Sequence, residues 1–196
     1  MSFQSVKGEF SELVLSTESD APDFPAHSVR YGGLFTKVAA FLAILATSPI
    51  FVVLTILLAI SGQNPIFPQQ RIGFRGEPFW IYKFRTFPEE GWARARRRAK
   101  HSRIARVRLS HFSFVSTILR TSGLDELPQF ANILRGDMQI FGPRPLVRKA
   151  FLALPEGRMA RCAVPPGITG FAQINGGQDL DPPSKLALDL YMIDLL

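Results

Sequence analysis

The chain has 196 residues, 46% hydrophobic and 20% charged, which is enough for a core of its own and excludes a disordered or low-complexity chain. Its single cysteine, Cys162, excludes an internal disulfide and any multi-cysteine metal cluster, and three histidines leave little for a His-rich site. The net charge of +7 is uneven, with two bases against five acids over residues 1–33 and 20 bases against 11 acids over residues 61–196, so a membrane surface or a polyanionic substrate is implied.

Residues 1–33 read as a polar, poorly ordered tail. From Val38 to Ile60 there are 23 residues without a charge. At roughly 1.5 Å per residue they cover about 30 Å of hydrocarbon. A buried core helix would carry a polar stripe, and this block has none, so residues 34–61 are expected to be membrane-embedded. Ser48-Pro49 sits at its centre, where proline removes a backbone donor and should kink the helix. Both a kinked spanning helix and a re-entrant helix that returns to the same face are compatible with that. The bases from Arg71 onward put the bulk of the chain, residues 62–196, on the cytoplasmic side.

After a turn cluster at residues 61–65, IFPQQRIGFRGEPFWIYKFRTF predicts a small hairpin around Arg75-Gly76-Glu77-Pro78. Residues 91–108 predict a helix, with eight bases and no acid from Arg94 to Arg108. With Trp92 beside it, that run suits anionic lipid headgroups. A solvated helix face would read the same way, and no nucleic-acid motif accompanies it, so nucleic acid is not an expected partner. Gly123–Arg135 reads as a short amphipathic helix stopped by Gly136. A Gly/Pro loop at 142–145, a helix over 146–161, a loop over 165–177 and a helix from about Pro183 complete the chain. The fold class is therefore α+β, mostly helical, with one hairpin.

Asp125-Glu126 is the first candidate for chemistry. A carboxylate at a helix start is ordinarily a cap. Paired carboxylates also hold Mg²⁺, and an Asp carboxylate can attack phosphorus to give an acyl phosphate. Arg120, Lys83-Phe84-Arg85 and Arg144 lie in neighbouring segments, and arginine in a rigid loop suits phosphate.

KFRTF at 83–87, LDELPQFANILRGDM at 124–138, GPRPL at 142–146, PGITGFAQING at 166–176 and DPPSKLALDLYM at 181–192 together resemble, in order, the signature blocks of the bacterial sugar transferases. These are the monotopic phosphoglycosyl transferases that initiate exopolysaccharides and other glycoconjugates, and the Ser-Pro membrane segment fits them too. The resemblance covers roughly residues 34–193. It implies transfer of a sugar-1-phosphate from a UDP-sugar to undecaprenyl phosphate, with release of UMP, at the inner membrane of a bacterium. It implies Asp125 as the nucleophile forming a covalent phosphosugar intermediate, and Glu126 as its Mg²⁺-positioning or proton-handling partner. Lys83, Arg85, Arg120 and Arg144 would hold phosphates, and Gln173, Asn175 and Asp189 would shape the nucleotide or sugar pocket. The implied cofactor is Mg²⁺, and the implied partners are the two substrates and the anionic bilayer; a homo-oligomer is compatible with all of this. Gly177 stands where the family commonly carries Arg, and the C-terminus reads as short for the family. The alternative reading is an inactive membrane-associated paralogue that binds lipid phosphate or a partner.

Overall fold

The apolar block forms the first helix, α1 (Leu34–Ile60), 27 residues without interruption. This is a computed structural model, and it describes residues 33–87, 103–177 and 179–196. Pro49 lies inside α1, where it denies an N–H to the carbonyl of Leu45. The Ser48 hydroxyl donates to that carbonyl at 2.8 Å, and Thr47 donates to Ala43 at 2.7 Å. The residue before the proline thus repairs the bond the proline removes. Phe41, Leu45, Val52, Val53 and Ile56 are each more than half exposed. By length and composition α1 is able to lie in a membrane, and an apolar face of this extent needs a cover.

The strands β1 (Ile66–Ile72) and β2 (Pro78–Phe84) form the expected hairpin. Its turn runs through Arg75 in a left-handed conformation (φ 55°) and closes with Gly73 N–H on the Glu77 carbonyl at 2.8 Å. Helix α2 (Arg103–Ser122) follows, then a 3-10 turn (Leu124–Gln129) and α3 (Phe130–Arg135). Next come β3 (Gln139–Phe141), α4 (Arg148–Leu152), a 3-10 turn (Arg158–Cys162), β4 (Gly167–Thr169), α5 (Phe171–Ile174) and α6 (Pro182–Asp194). Among the described residues the architecture is mostly helical with two small sheets.

Two compact units are distinguished. One consists of Phe41–Gln69 and Tyr82–Ala131. Its core is Leu54 and Leu58 of α1, Phe84 of β2, and Phe112, Val115 and Leu119 of α2, with Phe51, Leu57, Ile66, Leu124 and Leu127 packed on it. The spacings 51-54-58 and 112-115-119 each lay three residues on one helix face. Phe51 and Phe84 stack at a tilt with centroids 4.8 Å apart. At the end of α1 the Ser61 hydroxyl meets His111 Nδ1 at 2.7 Å.

The other unit contains Gln70–Ile81 and Asn132–Leu196, with the described residues up to Ala40. Its core is Ile72, Phe151, Leu154, Met159, Cys162 and Leu186. Burying side chains of this size contributes about 1.5–3 kcal/mol each. The β3 and β4 strands pair in parallel, Gln139 opposite Gly167 and Phe141 opposite Thr169. Asn132, fully buried, donates to the Trp80 carbonyl at 2.7 Å and to Asp137 at 3.2 Å.

Three expectations need correction. The helix over 146–161 is two short pieces, because Pro155 and Gly157 (φ 82°) break the helical run. The loop over 165–177 contains β4 and the single turn α5. Gly123–Arg135 begins as a 3-10 turn rather than an α-helix. The expected tail apart from Gly33, and residues 91–102 of the expected basic helix, lie outside the described residues; residues 103–108 are helical, as the start of α2.

Candidate active site

Gly123, left-handed at φ 71°, ends α2 and turns the chain into the segment that carries Asp125 and Glu126 in its first turn. Glu126 N–H bonds the Gly123 carbonyl at 3.1 Å. Pro128 sits inside this turn. The hairpin supplies the partner: Lys83 Nζ donates to Glu126 Oε1 at 2.7 Å, with the two side chains 14% and 19% exposed. A charge pair this enclosed is short, strong and directional. The ammonium is thus bonded to the residue that follows Asp125 in sequence. Arg85 donates through Nε to the Asn64 carbonyl at 2.8 Å and lies over the Phe67 ring. Arg120, in the last turn of α2, lies over the Phe87 ring at 5.1 Å. Of the residues expected at the reaction centre, Lys83, Arg85, Arg120, Asp125 and Glu126 belong to one unit.

The other unit holds Arg144, Gln173, Asn175 and Asp189. The Gly142-Pro143-Arg144-Pro145 loop leaves β3 against the β4 segment, with Gly142 N–H on the Thr169 carbonyl at 3.0 Å and Gly167 N–H on the Pro143 carbonyl at 3.1 Å. The approach is too close for a side chain. A Cβ on Gly142 would lie 2.7 Å from the Pro165 oxygen, and one on Gly170 would lie 2.8 Å from the Gly142 oxygen. Two arginines hold the loop's carbonyls: Arg71 donates to Pro145 at 3.0 Å and Arg161 to Arg144 at 2.8 Å.

Arg161 is itself buried, and donates to Asp189 Oδ2 through Nε at 2.9 Å and Nη2 at 2.7 Å. Burial pushes the Asp189 carboxyl above its ordinary range, opposed by the charge and hydrogen bonds of Arg161. Gln173 donates through Nε2 to the Ile168 carbonyl at 2.8 Å. A cavity of about 450 Å³ is lined by Arg144, Arg161, Gln173, Lys185 and Asp189 among others. Asn175 is not part of that lining; its amide donates to the Phe171 carbonyl at 2.9 Å and closes α5. Arg161 and Lys185 were not expected from sequence. Arg161 sits in a stretch without periodicity, 28 residues from its partner, so only its charge marked it.

Cys162 is core. Burial pushes its thiol up to about 11, so it stays protonated at neutral pH and is not a nucleophile. Among the described residues no three His, Cys, Asp or Glu side chains stand together as a metal cage.

The comparisons with known proteins identify the family. The bacterial sugar transferase family model matches residues 31–196. The chain is 33% identical to "Uncharacterized sugar transferase EpsL" of Bacillus subtilis, over 82% of this chain and 76% of that protein. It is 32% identical to "Exopolysaccharide production protein ExoY" of Sinorhizobium fredii, over 81% and 75%. It is 38% identical to the "UDP-glucose:undecaprenyl-phosphate glucose-1-phosphate transferase" of Escherichia coli, over 71% of this chain and 30% of that longer protein. A family match over all of the described residues, together with relatives at 33% and 32% identity over most of both chains, places the chain in the bacterial sugar transferase family of phosphoglycosyl transferases.

Proposed function

We propose that the protein transfers a sugar-1-phosphate from a UDP-sugar to undecaprenyl phosphate and releases UMP, as a membrane step in exopolysaccharide or related glycoconjugate synthesis. The observation that carries this is Asp125-Glu126 in a tight turn, with Lys83 bonded to Glu126. A carboxylate that attacks a diphosphate must approach a dianion, and an adjacent ammonium offsets that repulsion.

In this reading an Asp125 carboxylate oxygen attacks the phosphorus that bears the sugar. The bond from that phosphorus to the bridging oxygen breaks, and UMP leaves with the electron pair. Asp125 then carries the phosphosugar as a mixed anhydride. A phosphate oxygen of undecaprenyl phosphate attacks the same phosphorus, forms the lipid diphosphate sugar and frees the Asp125 carboxylate. Lys83 keeps Glu126 oriented beside the nucleophile. Arg85, Arg120 and Arg144 bind phosphate groups, and Gln173 and Asp189, which line the cavity, belong to the nucleotide or sugar pocket.

Carboxylates with phosphate oxygens and water are the donor set Mg²⁺ prefers, and Asp125 and Glu126 supply the carboxylates in one turn. Asp125 and Glu126 would hold it, and it would neutralise charge on the diphosphate. The acceptor is confined to a bilayer, and the exposed apolar face of α1 supports membrane anchoring. The excess of bases after residue 61 supports a cytoplasmic catalytic side, with anionic lipid against it.

The test is UMP release by the full chain in lipid, from UDP-glucose, UDP-galactose and their N-acetylated counterparts, with undecaprenyl phosphate and Mg²⁺. Release from at least one donor that stops on chelation is expected. A folded protein that releases UMP from none would instead be the inactive paralogue.

A further inference from the structure

Arg144 stands between two prolines, which restrict the backbone on both sides of it. Gly142, Pro143 and Pro145 are buried, whereas Arg144 is half-buried and lines the cavity of about 450 Å³. The carbonyls from Pro143 to Leu146 are four successive acceptors, each with a donor on it. Gly167 N–H reaches Pro143 at 3.1 Å, and Arg161 Nη2 reaches Arg144 at 2.8 Å. Arg71 Nη1 reaches Pro145 at 3.0 Å, and Ile72 N–H reaches Leu146 at 2.9 Å. The donors come from three segments far apart in sequence: the end of β1, the turn over Arg158–Cys162 and the start of β4.

Two of the four donors are guanidinium groups, which do more than close a loop. Charge-assisted bonds are shorter, stronger and more directional than neutral ones. Each also sets positive charge on the negative end of a carbonyl dipole next to the Arg144 side chain, so the loop becomes more favourable to an anion. Arg161 is fixed in its turn. Asp189 Oδ2 accepts from its Nε at 2.9 Å and from its Nη2 at 2.7 Å, and that same Nη2 serves the Arg144 carbonyl. Arg161 and Asp189 are 4% and 2% exposed, so bulk water does not compete for the pair. A buried ion pair is often no more stabilising than an apolar pair of similar volume, so stability alone does not account for this one.

We propose that Arg71, Arg161 and Asp189 are positioning residues for Arg144. The two guanidiniums fix the stretch of backbone from which the Arg144 side chain reaches a substrate phosphate, and Asp189 fixes Arg161. The assignment rests on the reading above that Arg144 binds phosphate, and gives Asp189 a role exerted through Arg161. A binding group displaced by about 1 Å can lose up to roughly 100-fold in effect, so the anchoring of one loop is enough to matter.

The test is a double-mutant cycle on the full chain in lipid nanodiscs, read by dissociation constants for the four UDP-sugars named above, with UMP release measured alongside. Arg144→Met should weaken binding roughly tenfold or more, the worth of a lost charged bond to phosphate. Arg71→Met and the apolar pair Arg161→Met/Asp189→Leu should each weaken it roughly tenfold, but by less than about twofold once Arg144 is already Met. Arg71→Lys, which keeps a cationic donor, should retain most of the affinity. A merely structural role would cost the same in both backgrounds, and so would a direct contact between these residues and the ligand. Equal losses in the two backgrounds would therefore overturn the proposal. Wild-type affinity in Arg71→Met or in Arg144→Met would overturn it too, as would failure of the wild type to bind any of the four. Arg71→Met decides the matter alone where the apolar pair does not fold. Coupled losses of binding without UMP release would sink the transferase reading and leave the positioning assignment standing. UMP release with uncoupled losses would sink the positioning assignment alone.

Discussion

Asp125→Asn should release UMP at a rate lower by roughly 10³-fold or more, which corresponds to about 4 kcal/mol of lost transition-state stabilisation. The substitution keeps the shape of the side chain and replaces the carboxylate nucleophile with a neutral amide. A fold defect is not the expected cause, since the surrounding turn is held by Gly123 and by the backbone. Glu126→Gln should fall less, by roughly 10²-fold, because it loses the Lys83 pair while the nucleophile remains. Lys83→Met should resemble Glu126→Gln, since each breaks the same 2.7 Å contact. A double Lys83→Met/Glu126→Gln variant no worse than either single one would show that the two act as a unit. Equal rates in the wild type and Asp125→Asn would remove Asp125 from the chemistry.

Arg161→Met should destabilise the protein by about 3–5 kcal/mol, the cost of leaving a buried carboxylate without its counter-charge. The loss has two parts. Asp189 keeps its desolvation and loses both bonds from Arg161, and the Arg144 carbonyl loses a third. Cys162 gives a direct readout. It is buried beside Arg161, with its thiol pushed up to about 11, so in the native protein it should resist iodoacetamide at pH 8. In Arg161→Met it should react at lower urea concentration than in the wild type. The double variant Arg161→Met/Asp189→Leu should regain much of the stability, because an apolar pair of similar volume often substitutes for a buried ion pair. A single Arg161→Met variant as stable as the wild type would contradict the role of the pair.

The legible parts of the fold were those with strong local signals. The hairpin followed from β-rich runs on either side of Arg75-Gly76, and α1 from an uncharged run longer than a bilayer core. Pro49 did not interrupt α1, because Ser48 supplies the missing donor to Leu45. The helix expected over 146–161 ignored Pro155 and Gly157, whose backbone preferences prevailed over an apolar pattern. The β3–β4 pair was invisible for another reason. Three residues per strand are too few for alternation, and the pairing is set by glycines that let two backbones touch.

In the site, Asp125-Glu126 and Lys83 were legible as motifs, and the structure adds the bond between Lys83 and Glu126. Arg161, Lys185 and the cavity were not legible. They depend on segments far apart in sequence meeting in space, and neither residue carries a pattern that marks it. Asn175 was expected in the pocket on its place in a motif, yet its side chain serves the end of α5.

The central claim is that one carboxylate receives the phosphosugar before the lipid does. It is tested most directly by mixing the full chain with a labelled UDP-sugar and Mg²⁺ in the absence of undecaprenyl phosphate. The account predicts a UMP burst that does not exceed one equivalent, and a phosphosugar adduct on the peptide that carries Asp125, discharged when the lipid phosphate is added. UMP that forms only when the lipid is present, with no adduct on any peptide, would contradict it.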